Sequence, residues 1–129
     1  MAGELILPDA LKPTYDNFKF APGVKAGGLL HMSGILGTGA DGKVPTDPAE
    51  EFDAAFQQAQ MVLAEAGLDF TDIVEMTTFH IGLQEHIGTF MGVKDKYINE
   101  PYPAWTAVGT TELAFPSARM ELKITALAR

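Results

Sequence analysis

Apolar and polar positions change their period along the chain, and each change marks an element. Glu4 to Leu7 is a short apolar-rich run stopped by Pro8 and reads as a strand. Residues 8–17 carry two prolines among turn formers and read as a loop. Phe18 to Val24 and Gly28 to Gly34 read as two strands joined by Lys25-Ala26-Gly27. Gly37 to Pro45, with Asp41-Gly42 inside it, reads as a second turn. Asp47-Pro48-Ala49-Glu50 opens a helix: Asp47 caps, Pro48 suits the first helical position, and Glu50 completes a capping box. Phe52, Phe56, Ala59, Leu63 and Ala66 recur at spacings of three and four as one apolar stripe, and Gly67 ends the helix. Thr71 to Ile81, rich in β-branched residues, predicts a long strand. Glu85 to Ile98 predicts a second helix with Ile87, Phe90, Met91, Val93, Tyr97 and Ile98 on its buried side. Gly88 and Gly92 either weaken it or permit close packing. The Asn99–Pro103 segment breaks it, and Ala104 to Leu113 and Met120 to Ala128 are the last two strands.

The order β-β-β-α-β-α-β-β, without repeat or linker, predicts one domain over residues 1–129. Its class is α+β, two layers, with both helices on one face of a mostly antiparallel mixed sheet. Both faces of that sheet carry apolar groups. Met120, Leu122, Ile124 and Ala126 alternate with Glu121, Lys123, Thr125 and Leu127, and Leu29, His31, Ser33 and Ile35 alternate with Leu30 and Met32. A face left bare by the helices is most simply buried against another subunit, which predicts a closed homo-oligomer.

Composition narrows the function. The 129 residues hold 9 Lys plus Arg against 17 Asp plus Glu, a net charge of −8, which argues against a dedicated nucleic-acid binder. With no cysteine there is no disulfide scaffold, thiolate zinc site or cysteine nucleophile. No apolar stretch approaches the roughly 20 residues of a membrane span. Met1-Ala2-Gly3-Glu4 lacks the features of a signal peptide, so a cytoplasmic protein is expected.

Most familiar catalytic signals are missing. The glycines of Gly34–Gly39 do not form a phosphate-loop pattern, and His31, His80 and His86 lack metal-ligand spacing. Met32, Met61, Met76, Met91 and Met120 read as core filler. Four positions remain. Ser33 either holds a ligand or water, or caps the turn that follows. Trp105, the only tryptophan, is either core or a pocket wall. Lys94 borders the buried helix face, either snorkelling to solvent or presenting a cation to a pocket. Glu121 either pairs across the strands, on the face it shares with Lys123, or acts as a general acid or base.

Several segments together resemble the RidA (YjgF) family. They are Gly28-Leu-Leu-His-Met-Ser-Gly34, Ala-Glu-Ala-Gly67, Asp72-Ile-Val-Glu-Met-Thr-Thr-Phe79, Phe90-Met-Gly-Val-Lys-Asp-Lys-Tyr97, Tyr102-Pro-Ala-Trp105 and Met120-Glu-Leu-Lys-Ile124. Tyr102-Pro-Ala-Trp-Thr-Ala-Val-Gly109 and Thr78-Phe-His80 look closest to its YjgH-like branch. The resemblance implies a chorismate-mutase-like fold and a homotrimer with small-molecule clefts between subunits. It also implies hydrolysis of reactive enamines and imines to a keto acid and ammonia, without metal or cofactor. By the same resemblance Ser33 and Glu121 are the catalytic candidates. Phe20 stands where a tyrosine is usual, Trp105 where an arginine clamps the substrate carboxylate, Lys94 for an asparagine and Ala107 for a cysteine. Thr106 belongs to the branch's own pattern. The substrate-binding set is then Phe20, Lys94, Trp105, Thr106 and Ala107. With the arginine gone, an altered substrate, or a binding trimer without chemistry, is implied. A ribonuclease, a label the family also carries, fits the charge least.

Overall fold

The computed structural model describes residues 1–128. Strand β1 (Glu4–Ile6) leads through a 3-10 turn into helix α1 (Lys12–Phe18). Then come β2 (Gly23–Ala26), β3 (Leu29–Met32), β4 (Ile35–Leu36), α2 (Pro48–Glu65), β5 (Ile73–His80), α3 (Leu83–Lys94), β6 (Ala104–Gly109) and β7 (Met120–Leu127). The seven strands form one sheet in the order β1-β2-β3-β7-β5-β6, with β4 also paired to β7. All pairs are antiparallel except β5 with β6, which run parallel because α3 carries the chain back between them.

Helices α2 and α3 cover one face. Phe52, Phe56, Ala59 and Leu63 of α2 are fully buried, as the stripe predicts, against Met120, Leu122, Ile124 and Ala126 of β7. Aromatic rings fill the layer between: Phe52 meets Phe90 edge-on at 5.6 Å, and Phe56 stacks on Tyr97 at 5.0 Å. The Tyr97 hydroxyl donates to Asp53, tying the end of the α3 segment to α2. Among the described residues nothing covers the opposite sheet face in the way α2 and α3 cover the first. Glu121, Lys123 and Thr125 of β7 are half-buried there, and Leu127 and Val108 are exposed.

Several expected boundaries shift, each for a physical reason. The segment read as a loop holds α1, because Pro13 stands in the helix's first turn, where a missing N–H costs nothing. Lys19 closes α1 in the left-handed conformation (φ 62°), so Phe18 belongs to the helix and the strand begins only at Gly23. The hairpin turn is Gly27-Gly28, not Lys25-Ala26-Gly27. Both glycines have positive φ, and Ala26 pairs with Leu29 across a two-residue loop. Asp47 caps α2 through the Ala49 N–H, but the capping box lies elsewhere, between Asp69 and Asp72 ahead of β5. Helix α3 turns Phe90, Val93 and Lys94 inward and Met91 outward, and Met61 is exposed as well, so these two methionines are not core filler. A Cβ on Gly88 or Gly92 would meet nothing, so neither serves close packing.

Candidate functional site

Strands β3 and β4 both pair with β7, and the chain between them, Ser33-Gly34, crosses a gap in the ladder. The Ser33 N–H donates to Pro22 O (3.1 Å) and its hydroxyl to Ala21 O (2.6 Å). That proton is committed to holding the Phe20–Pro22 segment, while the oxygen lone pairs remain open to a donor. Glu121 stands opposite Leu36 and Phe79 in the register. Its carboxylate lies so close to Gly34 that a Cβ there would be 2.5 Å from Oε2. Among the described residues this carboxylate has no hydrogen bond and no ion pair; Lys123, the expected partner on its face, donates to Met32 O instead.

Ser33, Gly34 and Glu121 line a cleft of about 440 Å³, with Phe20, Phe18 and Phe115 among its apolar walls. Helix α1 adds Leu11 and Thr14 nearby. A second, open groove bordered by Phe79, Thr110 and Glu112 also reaches Glu121. Glu121 therefore stands where two depressions meet, in contact with solvent yet flanked by apolar surface.

Of the remaining candidates, Lys94, Trp105 and Ala107 lie on the helix side of the sheet and Thr106 does not. Trp105 points toward the helices, and its indole N–H donates to Thr78 Oγ1 (2.9 Å), which also meets His80 Nε2 at 2.8 Å. The Phe90 ring lies 5.7 Å from the indole. Lys94, only 9% exposed, holds its ammonium 4.8 Å from the Trp105 ring centre and 5.6 Å from that of Tyr102. Ala107 follows on the same side of β6, and Thr106 is exposed on the uncovered face. One chain thus brings Ser33, Phe20 and Glu121 together and Lys94, Trp105 and Ala107 together. It does not join the two groups.

His80 is fully buried, with Nδ1 lacking a partner among the described residues; burial, and then the nearby His86, push its pKa below the ordinary 6.5. A second buried ionisable group supports the strand that carries Glu121. Glu51, fully buried in the first turn of α2, accepts from the Arg119 backbone N–H (2.7 Å) and guanidinium (3.2 Å). Burial raises its pKa above the ordinary 4.5, although Arg119 opposes the shift. Gly37 lies against the Glu51 backbone where any Cβ would clash. These contacts fix Arg119, just ahead of β7 and two residues before Glu121.

The endoribonuclease L-PSP family profile matches residues 13–128. The RutC family protein YjgH of Escherichia coli is 34% identical over 110 residues, 84% of each chain. The chain belongs to the RidA/YjgF family, in its YjgH-like branch. A solved structure of protein YjgH superposes with a TM-score of 0.89 at 31% identity, covering 98% of this chain and 97% of that one. RidA from an Antarctic Psychrobacter shares the fold at 21% identity, with a TM-score of 0.79 over 84% and 87% of the two chains. Among the described residues no helix is long and apolar enough to cross a membrane.

Sequence reasoning missed four contributors to these clusters. Gly34 was legible only as a turn former, because its reason is the Glu121 carboxylate beside it. Tyr102 lay in a helix-breaking segment, Thr78 looked like any β-branched strand residue, and Glu51 sat beside the more conspicuous Glu50. No local signal distinguishes Glu51 from Glu50; only the packing of α2 onto Arg119 does.

Proposed function

We propose that this RidA-family chain is a cofactor-independent enamine or imine hydrolase that acts on a small-molecule metabolite. It would work in the cytoplasm as a homotrimer with clefts between subunits. The observation that carries the reading is the Glu121 carboxylate, uncompensated, seated on Gly34 and opening into a cleft beside Ser33. A carboxylate so placed accepts a proton from water as the oxygen attacks the imine carbon. It passes that proton to the imine nitrogen to give the carbinolamine. It then takes the carbinolamine hydroxyl proton and delivers it to the amino nitrogen as the C–N bond breaks. Both protons of water leave in ammonia and its oxygen becomes the carbonyl. The free lone pairs of Ser33 accept a hydrogen bond from that water or from the imine N–H. Phe20, in place of a hydroxylated residue, makes the wall apolar.

A second copy accounts for two facts. The uncovered sheet face carries exposed Val108 and Leu127. The Lys94–Trp105–Ala107 group also cannot reach Glu121 within one chain. Thr106, on the uncovered side of the edge strand, then lies at the seam between copies. In the other reading, a binding trimer without chemistry, Phe20 and Trp105 would stack a flat ligand; within one chain Phe20 lines the Glu121 cleft and the Trp105 indole meets Lys94, Phe90 and Thr78.

The test generates imines with an amino-acid oxidase while semicarbazide competes for them. Added protein should lower semicarbazone formation, and Glu121→Gln should abolish the effect with the melting temperature preserved. No effect of the wild type on any imine, or full activity in Glu121→Gln, would end the proposal.

A further inference from the structure

The cleft at Glu121 is larger than the proposed chemistry needs. Its volume, about 440 Å³, lies in the range of ~300–1,000 Å³ that holds whole drug-sized molecules. An imine of two or three carbons would leave most of it empty. The cleft also reaches both layers of the fold. Glu121 stands on the bare side of the sheet, whereas Gln58 and Val62, also in its walls, belong to α2. Between them lies Ser33-Gly34, where β3 and β4 part along β7.

Helix α1 forms one wall. Leu11, Thr14 and Phe18 recur at spacings of three and four, which puts them on one helix face, and all three line the cleft. No residue of α1 is buried. A seven-residue helix has little stability of its own and depends on what its apolar face meets. Here that face meets the cleft. Phe18 is 73% exposed, Phe20 40% and Phe115 37%, so three of the eight phenylalanines surround one cavity with their rings uncovered. The polar donors in these walls are already engaged. The Gln58 amide donates to Leu36 O (3.1 Å), Thr38 O (3.3 Å) and Thr38 Oγ1 (3.0 Å), and the Ser33 hydroxyl donates to Ala21 O. Among the residues that line the cleft, Glu121 alone is ionisable. A charged group leaving water there would find no cation to pair with, whereas an uncharged ring would cover the exposed apolar surface.

We propose that the part of the cleft bounded by α1 and α2 is a subsite for an uncharged aromatic group. The inference rests on the Glu121 reading and deepens it. The substrate is an imine whose carbon carries an aryl-sized apolar substituent, and Thr14 and Phe18 set that preference. The reacting carbon stays at Glu121 while the ring lies against the inner face of α1.

Two readouts separate the subsite from the chemistry. The first is N-phenylnaphthylamine, an uncharged dye whose emission rises in apolar surroundings, titrated into the intact oligomer. The wild type should bind it saturably. Thr14→Trp, which fills the cleft from a half-buried helix position, should weaken binding at least tenfold. The second is the imine assay. The ratio of kcat/KM for the phenylalanine-derived imine to that for the alanine-derived one should be at least tenfold in the wild type and fall at least tenfold in Thr14→Trp. Folding is checked by circular dichroism. If Thr14→Trp fails to fold, Phe18→Ala, which removes a largely exposed ring, carries the test and should lower both the dye affinity and the ratio. No saturable dye binding by the wild type, or undiminished binding by the folded variant, overturns the subsite. Imine turnover with an unaltered ratio in the variant also overturns it and leaves the hydrolase standing. Dye binding lost in Thr14→Trp, with neither imine hydrolysed, keeps the subsite and removes the hydrolase. A changed sedimenting mass in Thr14→Trp, with no dye bound by the wild type, assigns the cleft to a side chain of a neighbouring copy and overturns the proposal.

Discussion

Replacing Gly34 by Ala tests the proposed site at one atom. The Gly34 backbone lies outside the left-handed region, so alanine meets no conformational penalty and the whole effect is steric. The new Cβ would stand 2.5 Å from Glu121 Oε2, 2.7 Å from Cδ and 3.1 Å from Cγ. Unstrained carbon contacts begin near 3.5 Å, so the carboxylate must retreat by about 1 Å. Three overlapping atoms in a row mean that rotating the carboxylate alone does not relieve the clash. A misplacement of that size costs about 10²-fold in rate. Stability should suffer less, at the low end of the ~1–3 kcal/mol typical of overpacking, because the displaced group can swing into the open cleft. The assay is kcat for imine hydrolysis beside a calorimetric melt. A kcat drop near 100-fold with a loss of a few degrees is expected. The double variant Gly34→Ala/Glu121→Gln should be no slower than Glu121→Gln alone, because both changes act through one carboxylate. A folded Gly34→Ala protein with kcat within threefold of wild type would refute the reasoning. So would a double variant slower than the single one.

Three further outcomes follow. Glu51→Ala leaves the Arg119 N–H and guanidinium without their buried acceptor and should cost ~3–5 kcal/mol by denaturant titration, whereas Glu51→Gln keeps an acceptor and should cost much less. Because burial raises the Glu51 pKa, its contribution is fully present below 4.5 and lost as pH rises through the native value. The stability difference between wild type and Glu51→Gln should therefore shift toward the wild type on acidification. Burial of neutral His80 has the opposite sign. Its contribution is present above 6.5 and declines as pH falls toward the lowered native pKa, and His80→Phe should flatten that part of the pH–stability curve. Finally, mixed oligomers of Lys94→Met and Glu121→Gln, made by co-expression, should be more active than either variant alone; complete failure to complement would place both groups in the same copy.

Much of the architecture was legible because it rests on periodicity. The Phe52–Leu63 stripe and the alternation along β7 come directly from burial against water, and both match the structure residue by residue. Boundaries failed where a local exception outweighed the pattern. Pro13 looked like a breaker but occupies the helix start, and Gly28 looked like strand but forms half of a turn. For the site, residue types were legible and surroundings were not. Ser33 and Glu121 stood out as polar residues at strand positions, yet nothing in the sequence shows that Gly34 leaves room for the carboxylate. Lys94 read equally well as a snorkelling side chain or a buried cation. The rotation of α3 buries position 94 beside Trp105 and turns Met91 outward, and that rotation depends on packing against β6.

The division of the candidate residues between two sheet faces follows from strand geometry. Side chains alternate along a strand, so Glu121 falls opposite to Met120 and Leu122, which the helices claim. On β6, Trp105 and Ala107 face the helices, and Thr106 and Val108 face away. A one-residue slip of β7 would reunite Glu121 with Trp105, but it would expose the four core residues Met120, Leu122, Ile124 and Ala126, each now fully buried. The core thus keeps Glu121 and Trp105 on opposite faces within one chain. The surface that keeps Glu121 apart is the same bare face that carries Leu127 and Val108, so covering its apolar groups with a second copy would also bring a foreign edge strand toward Glu121. On this account assembly and chemistry have one cause. A substitution such as Val108→Glu should disperse the oligomer and end imine hydrolysis together, while leaving the fold and the Lys94–Trp105 contact of each chain in place.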